Sequence, residues 1–496
     1  MGNIISTIRD EEDRFLEQHP RPALDLIQEY KYRETGTKAN WTHDREKLTR
    51  RSKRWALKKK FNTAAYRFLT QRALINKKGH GDLPWEATDL LGAGSFGVVG
   101  LWQQIDPDTG RVLDSMAIKE TLDDDPHAYM DMFKRKHPKE PIPTEALWMD
   151  FLSRRSSYIP NLRQLVHFKD MPSKWRFYME FCPNGDLSDL LKIYKEFNDN
   201  HGKSDHQVIP EPYLWFCFYN MAQALQAMYL PKNTHAWIDR DLRHDVPDAD
   251  KFILHLDIKH QNTLLGRSWK HKHLAGYPPA KMADFGLAQL TSVNHYRNAK
   301  KFLGMGTTVW HPPEQLDRGH FDCEWNDPIV HPRRDNTFPF DPRHGVWQIA
   351  AMVYGMATLT PNNLGLNKML ERLYKDTGAE SYLRRRKFSL IGGQSPDIRK
   401  DYSHLLYETL DDCLNVDPDR RPYPEKLVRI CEEGIRATAR GLERTGGSAP
   451  PVFYGPNGKY ELEDHVKRKK KAPERRERRR SELPGQGRRR RDSYMR

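Results

Sequence analysis

The stretch His255-Leu256-Asp257-Ile258-Lys259-His260-Gln261-Asn262, followed at once by the short run Thr263–Leu265, decides the fold of this chain. Transfer of a phosphoryl group from a nucleotide to a hydroxyl needs a carboxylate that accepts the proton, a cation near the γ-phosphate and a metal ligand. Asp257, Lys259 and Asn262 supply these three groups within one segment. The stretch therefore predicts a phosphoryl-transfer site with Asp257 as the base.

A second stretch, Arg240-Asp241-Leu242-Arg243, looks similar at first. The position five residues after Asp241 is Val246 instead of an asparagine, and no apolar strand follows it. Without the metal ligand the segment lacks one of the three required groups. We assign it to an exposed insertion.

A glycine-rich segment lies upstream, where Gly92-Ala93-Gly94-Ser95-Phe96-Gly97-Val98-Val99 matches the pattern G-x-G-x-x-G-x-V. Glycines at these positions let backbone amides approach a triphosphate without a Cβ clash. A dinucleotide-binding fold needs a helix after the last glycine, but Val98–Trp102 has the composition of a strand. The segment thus predicts a hairpin over phosphates, although taken alone it also fits an ordinary glycine turn.

Three further charged residues complete the candidate site. Lys119 closes the apolar strand Met116–Lys119, where it could pair with the α- and β-phosphates. Glu145 begins a helix-like apolar run and is favoured over Glu140 as the partner of this lysine. Asp284, in Asp284-Phe285-Gly286, follows a short strand and offers a second carboxylate for Mg²⁺. Four motifs in this order make chance a negligible explanation.

These motifs resemble those of the eukaryotic protein kinase family over roughly residues 85 to 435. Met179-Glu180-Phe181-Cys182 is similar to the family's adenine-binding hinge, with Met179 as gatekeeper. Gly306–Glu314 resembles the end of the activation segment, and Cys413–Pro422 resembles a late signature whose arginine, Arg421, pairs with Glu314. The resemblance implies an α+β, two-lobed fold with a small antiparallel β-rich N-lobe and a larger α-helical C-lobe.

The resemblance also implies cofactors and site residues. The cofactors are ATP and Mg²⁺, and the acceptors are serine or threonine hydroxyls of proteins, because Lys259 together with Thr307 is the serine/threonine pattern. The implied catalytic residues are Asp257, Lys259, Lys119, Glu145 and Thr307. The implied metal ligands are Asn262 and Asp284. The implied nucleotide-binding residues are Gly92, Gly94, Ser95, Gly97, Val99, Ala117, Lys119, Met179, Glu180, Cys182 and Leu264.

Two positions depart from the family pattern. Leu256 replaces the arginine that usually precedes the catalytic aspartate and receives a phosphate from the activation loop. Gly345 replaces the aspartate that usually opens a long buried helix, and Asp341 is a candidate substitute. These departures motivate an alternative, in which the chain is a catalytically weak or dead kinase fold that acts as a scaffold.

The composition divides the chain into three parts. Residues 1–84 form a basic extension with helical periodicity from about 45 to 75, residues 85–435 form the kinase domain with its lobes at about 85–181 and 182–435, and residues 446–496 form a disordered basic tail. The net charge of +15 is concentrated in residues 45–60 and 465–496, which leaves a nearly neutral enzyme body. A nucleic-acid-binding fold is therefore the weaker alternative.

The basic appendages admit several interpretations. Met1–Ser6 fits the pattern that exposes Gly2 for myristoylation, and residues 45–60 could add peripheral membrane contact or instead pack on the small lobe. The tail suits an import receptor, nonspecific nucleic-acid contact, or plain solvation. No disulfide pattern, signal peptide or transmembrane run is apparent. We expect an intracellular protein, in the nucleus or cytoplasm, with membrane association as an alternative.

Overall fold

The computed structural model describes most of the central region and little of either end. The described residues are 27–30, 68–69, 83–94, 97–121, 142–168, 174–201, 206–230, 251–267, 277–295, 298–299, 302–315, 339–361, 366, 368, 370, 391 and 398–444. Several predictions lie outside these residues: Gly2, the basic segment 45–60, Ser95, Glu140, the insertion containing Asp241, and the tail 446–496.

A six-stranded sheet forms the N-terminal part of the fold. Its strands are β1 (Ile27–Tyr30), β2 (Trp85–Gly94), β3 (Gly97–Ile105), β4 (Val112–Glu120), β5 (Leu162–Phe168) and β6 (Trp175–Glu180). Their order across the sheet is β1-β5-β6-β4-β3-β2, and every pair is antiparallel except β1 with β5. One helix, α1 (Thr144–Ser153), contacts this sheet through β5.

The register of the sheet determines which side chains face the cleft below it. Directly opposed residues of antiparallel strands project from the same face. Val99 and Phe177 both oppose Lys119, while Met179 opposes Ala117. Because side chains alternate along a strand, Ala117 and Lys119 also share that face. The candidate nucleotide residues of three strands therefore line one surface.

The opposite face of the sheet carries mainly apolar side chains, and two described residues of the N-terminal extension are buried against it. Phe68 and Leu69 are buried there against Trp102, Met116 and other apolar residues of the strands. A Cβ at residue 100 would lie 2.6 Å from a ring carbon of Trp102 and 2.7 Å from a methyl carbon of Leu69, so Gly100 lets both side chains pack close to the strand. Phe68 and Leu69 thus form part of the hydrophobic core of the sheet.

Helices dominate the C-terminal part. They are α2 (Leu187–Asn200), α3 (Glu211–Ala227), α4 (Arg343–Ala357), α5 (His404–Cys413) and α6 (Pro424–Arg444). Helices α3 and α4 are buried along most of their length, because they are apolar on nearly every side and other elements surround them. No helix in the described part is both long and apolar enough to cross a membrane.

Short strands between α3 and α4 carry the candidate catalytic loops. They are β7 (Tyr229–Leu230), β8 (Lys251–Leu254), β9 (Thr263–Leu265), β10 (Ala280–Met282) and β11 (Gln289–Thr291). Strands β9 and β10 pair as one sheet, and β11-β8-β7 form another. A β-rich N-terminal part followed by a helical C-terminal part confirms the predicted α+β fold. The exact domain boundaries remain a prediction.

Candidate active site

Asp257 is the centre of a hydrogen-bond network between strands β8 and β9. Its Oδ2 atom accepts hydrogen bonds from Lys259 Nζ at 2.7 Å and from Asn262 Nδ2 at 2.9 Å. Its Oδ1 atom accepts from the backbone N–H and the hydroxyl of Thr307, at 2.9 Å and 2.7 Å. Four donors therefore fix the orientation of one carboxylate, and three of the predicted catalytic and metal-binding residues surround it.

Thr307 joins two segments that are far apart in the sequence. Its hydroxyl donates to Asp257 and accepts a hydrogen bond from Lys259 Nζ at 2.8 Å. The preceding residue, Gly306, has φ 96°, and a Cβ there would lie 2.2 Å from the carbonyl oxygen of Leu256. Only glycine permits both the backbone conformation and the approach. Gly306 thus contributes to the site through its backbone, a role that the motif alone does not indicate.

Lys119 and Glu145 form the predicted ion pair. Lys119 Nζ lies 2.7 Å from both carboxylate oxygens of Glu145 and 4.0 Å from Oδ1 of Asp284. Glu145 lies in the first turn of α1, where the partial positive charge of the helix N-terminus favours a carboxylate. Burial raises the pKa of Glu145, while the ammonium of Lys119 opposes that shift. The pair holds the lysine beside the second carboxylate.

Asp284 and Phe285 follow strand β10 in a sharp turn. Asp284 has φ 66°, and the Phe285 ring is fully buried with its centroid 4.9 Å from that of the His255 ring. His255 Nδ1 accepts from the Asp257 backbone N–H at 3.3 Å, so the neutral ring donates from Nε2 to the Ala283 carbonyl at 3.0 Å. Burial lowers the pKa of His255, which favours this neutral form. His255 therefore couples the two carboxylate loops, a role that its place in the motif could have indicated.

Of the predicted nucleotide-binding residues, Val99, Ala117, Lys119 and Met179 share the face of the sheet described above. Gly97 has φ 147°, and a Cβ there would lie 2.4 Å from the carbonyl oxygen of Glu120 on β4. Position 97 therefore requires a glycine. Gly92 and Gly94 lie near the end of β2, and Ser95 is outside the described residues. Leu264 lies on β9 and forms an isolated bridge with Asp186.

The predicted hinge contains two residues whose side chains are engaged or buried. The Glu180 carboxylate lies 2.8 Å from Lys281 Nζ and accepts a hydrogen bond from the Asn161 backbone N–H at 3.2 Å. The side chain is therefore engaged within the protein. Cys182 is buried, and burial raises the pKa of its thiol well above the usual range. These side chains are thus engaged or buried, and adenine binding by main-chain atoms of this segment stays a prediction.

Gly345 opens helix α4 beside a leucine side chain. A Cβ at residue 345 would lie 2.6 Å from a methyl carbon of Leu225, so that leucine occupies the space an aspartate would need. Asp341 does not substitute for it, because its carboxylate accepts from the backbone N–H and guanidinium of Arg343 at 2.5 to 2.8 Å. In the described part of the chain, the catalytic loop thus lacks an acidic anchor from α4.

Arg421 and Glu314 form the second ion pair that the resemblance implies. The two guanidinium nitrogens lie 2.7 Å and 2.8 Å from the two carboxylate oxygens, and both side chains are almost fully buried. A bidentate pair of this geometry is specific as well as strong. It ties the end of the activation segment to the segment before α6.

Comparisons with known proteins agree with this geometry. A family model described as the protein kinase domain matches residues 85–430. The chain is 25% identical over 351 residues to the probable serine/threonine-protein kinase nek2 of Dictyostelium discoideum, covering 69% of this chain and 61% of that protein. It is 22% identical over 357 residues to the G2-specific protein kinase nim-1 of Neurospora crassa, covering 70% and 33%. It is 24% identical over 253 residues to mouse serine/threonine-protein kinase Nek4, covering 51% and 22%.

The chain thus spans between about one fifth and three fifths of the length of these relatives. The family match covers well over half of the chain and includes every candidate site residue. The chain belongs to the protein kinase family.

Proposed function

We propose that this protein transfers the γ-phosphate of MgATP to serine or threonine hydroxyls of protein substrates. The observation that carries the proposal is the network around Asp257, whose carboxylate accepts hydrogen bonds from the cation Lys259, from the metal-ligand candidate Asn262 and from Thr307. The names of the relatives, which are serine/threonine kinases, support the class of acceptor. The names do not identify a substrate for this chain.

Each residue would act through position and charge. Asp257 would accept the proton of the substrate hydroxyl, and Lys259, which touches both Asp257 and Thr307, would stabilise negative charge on the transferred group. Lys119 would bind the α- and β-phosphates while Glu145 holds its ammonium in place. Preorganised charges of this kind supply most of the rate enhancement in phosphoryl transfer.

The residues present fit a magnesium ion. Asn262 donates from Nδ2 to Asp257, and within the described residues no donor contacts its amide oxygen, which leaves that atom available to a metal. The Asp284 side chain is 39% exposed and offers carboxylate oxygens. Oxygen atoms from one or two side chains, completed by phosphate and water, are the usual ligands of Mg²⁺. When bound, the ion would neutralise charge on the phosphates.

The scaffold alternative rests on Leu256 and Gly345. The ion pair of Lys119 and the network around Asp257 weigh against it, because a scaffold gains nothing from either arrangement. The scaffold alternative nevertheless predicts a different result in a phosphorylation assay, since a scaffold would form no phosphoserine or phosphothreonine.

The test compares Asp257→Asn with wild-type protein and with Asp241→Asn, the matched change in the sequence segment that resembles the catalytic loop. Purified full-length proteins are incubated with MgATP and a mixture of protein substrates, and phosphoserine and phosphothreonine are quantified by mass spectrometry. We expect Asp257→Asn to lower transfer by about 10²- to 10⁴-fold, while Asp241→Asn leaves it unchanged. Wild-type transfer no greater than that of Asp257→Asn would favour the scaffold.

The segments that we propose direct the protein to a cellular location lie outside the described residues. We propose that the tail, which carries 15 basic and 4 acidic residues from 465 to 496, directs the protein to the nucleus through an import receptor. Gly2 and residues 45–60 would provide peripheral membrane contact. Deletion of 465–496 and Gly2→Ala should each change the distribution seen by microscopy without changing kinase activity. An unchanged distribution after both changes would exclude these roles.

A further inference from the structure

An apolar cluster lies directly behind the catalytic aspartate. We call it the Leu256 cluster, and its buried members are Phe252, Leu254, Leu256, Ala299, Phe302 and Phe340. Each of these side chains is at most 4% exposed, and Leu287, Leu303 and Met305 pack against them. The cluster thus joins strand β8, the activation segment and the segment that precedes α4 in one small core.

The cluster acts on the active site through very short connections. Leu256 immediately precedes Asp257, and its carbonyl oxygen limits the space beside Gly306. Gly306 immediately precedes Thr307, whose hydroxyl binds the Asp257 carboxylate. A displacement of the activation segment from the cluster would therefore be transmitted to the Thr307 hydrogen bonds.

Backbone bonds make the activation segment a compact turn on the cluster. The N–H groups of Phe302 and Leu303 donate to the Ala299 carbonyl at 2.7 Å and 3.1 Å, and the Met305 N–H donates to the Phe302 carbonyl at 3.2 Å. The Gln315 amide then donates to the Met305 carbonyl at 2.7 Å. The turn is held at both ends, and its Phe302 side chain is directed into the core.

The opposite wall of the cluster is fixed to the same segment. The Asn298 side chain accepts from the Phe340 backbone N–H and donates to the Phe340 carbonyl, both at 2.7 Å. The Phe302 and Phe340 rings have centroids 6.4 Å apart, within the range of favourable aromatic pairs. These contacts contain no charge and require no modification.

The sequence that adjoins the cluster contains few serine or threonine residues that could carry a regulatory phosphate. No serine or threonine occurs from Val293 to Gly306. Thr291 and Ser292 are buried, and the Thr307 hydroxyl is engaged at the active site. The position of Leu256 also provides no cation for a phosphate. Thr308 is partly exposed and is the remaining acceptor nearby, but Leu256 offers no cation to a phosphate there.

We propose that Leu256 and Phe302 are positioning residues that hold Thr307 against Asp257 by apolar packing, so that the unphosphorylated protein is already catalytically competent. This inference rests on the proposed kinase function. It predicts that Phe302 contributes to turnover and not to ATP binding, because the lysine and glycines that would contact ATP belong to the β-sheet.

The first experiment uses the unaltered full-length protein. Wild-type protein is treated with phosphatase, mass spectrometry verifies that residues 287–311 carry no phosphate, and substrate phosphorylation is measured before and after. We expect kcat to change by less than about twofold. A loss of about tenfold or more, which equals about 1.4 kcal/mol of barrier, would overturn the proposal if rephosphorylation in this segment restores activity. If instead the untreated protein is no more active than Asp257→Asn, the proposed function itself fails.

The second experiment tests the packing. Phe302→Ala should lower kcat at least about tenfold with less than about a twofold change in the KM for ATP, and Phe302→Leu should keep most of the activity. Phe197→Ala, an equally buried change in α2 within a separate core cluster, controls for loss of stability. Leu256→Met should remain active, whereas Leu256→Arg should not, because it buries an unpaired charge. Full kcat in both Phe302→Ala and Leu256→Arg, with an unchanged melting temperature, would overturn the positioning role.

Discussion

Removal of the Thr307 hydroxyl is a direct test of the site geometry. Thr307→Val keeps the size and branching of the side chain, but it deletes the hydrogen bond to Asp257 at 2.7 Å and the one accepted from Lys259 at 2.8 Å. Hydrogen bonds to charged groups contribute about 1.5 to 3 kcal/mol. The hydrogen bond from the backbone N–H of residue 307 to Asp257 remains in the variant. We therefore take the contribution of one hydrogen bond to a charged group as the increase in the barrier. At about 1.4 kcal/mol per factor of ten, kcat should fall about ten- to hundredfold.

The assay measures kcat and KM for ATP with Thr307→Val and with Thr307→Ser, which retains the hydroxyl. The serine variant should stay within about threefold of wild type. The KM for ATP should be similar in all three proteins, because the glycines and the lysine predicted to contact the ATP phosphates lie on β2, β3 and β4. Thermal unfolding of each protein checks that the site is intact. If the valine variant has the same kcat as the serine variant, the hydroxyl does not position Asp257 and our account of the network is wrong.

Two further changes test the sheet. Glu145→Gln should lower kcat/KM for ATP about tenfold or more, because Lys119 loses its charged partner; an equal kcat/KM in the variant and the wild type would contradict this role. Phe68→Ala should lower the free energy of unfolding by about 3 kcal/mol, measured by urea denaturation, because it removes a buried ring from Trp102 and Arg176. The conservative Phe68→Leu should lower the free energy of unfolding much less. Equal decreases in the two variants would show that the aromatic ring makes no specific contribution to packing.

Much of the candidate site could be predicted from local sequence. Asp257, Lys259 and Asn262 lie within six consecutive residues. Their spacing alone therefore places a carboxylate, an ammonium and an amide close together. Lys119 on an apolar strand and Glu145 at a helix start were predicted to pair, and the structure brings them to 2.7 Å. Such predictions succeed because the required chemistry restricts which residue types can occupy each position.

The departures from the family pattern could not be interpreted in the same way. The sequence identified Leu256 and Gly345 as replacements of charged residues and suggested Asp341 as a substitute anchor. The structure instead engages Asp341 with Arg343 and fills the space beside Gly345 with Leu225. The local sequence around residues 341 to 345 contains no information about α3, which supplies that leucine.

The sequence by itself therefore determined the family, the α+β class and the order of the catalytic groups, since each depends on residue type and spacing along the chain. Tertiary structure alone decided what surrounds Leu256, because Phe302 and Phe340 reach it from segments about fifty and eighty residues away. Burial of apolar side chains is favourable but not directional, so a sequence shows which residues can be buried and not which of them meet. The partners are selected only when the whole chain packs without voids.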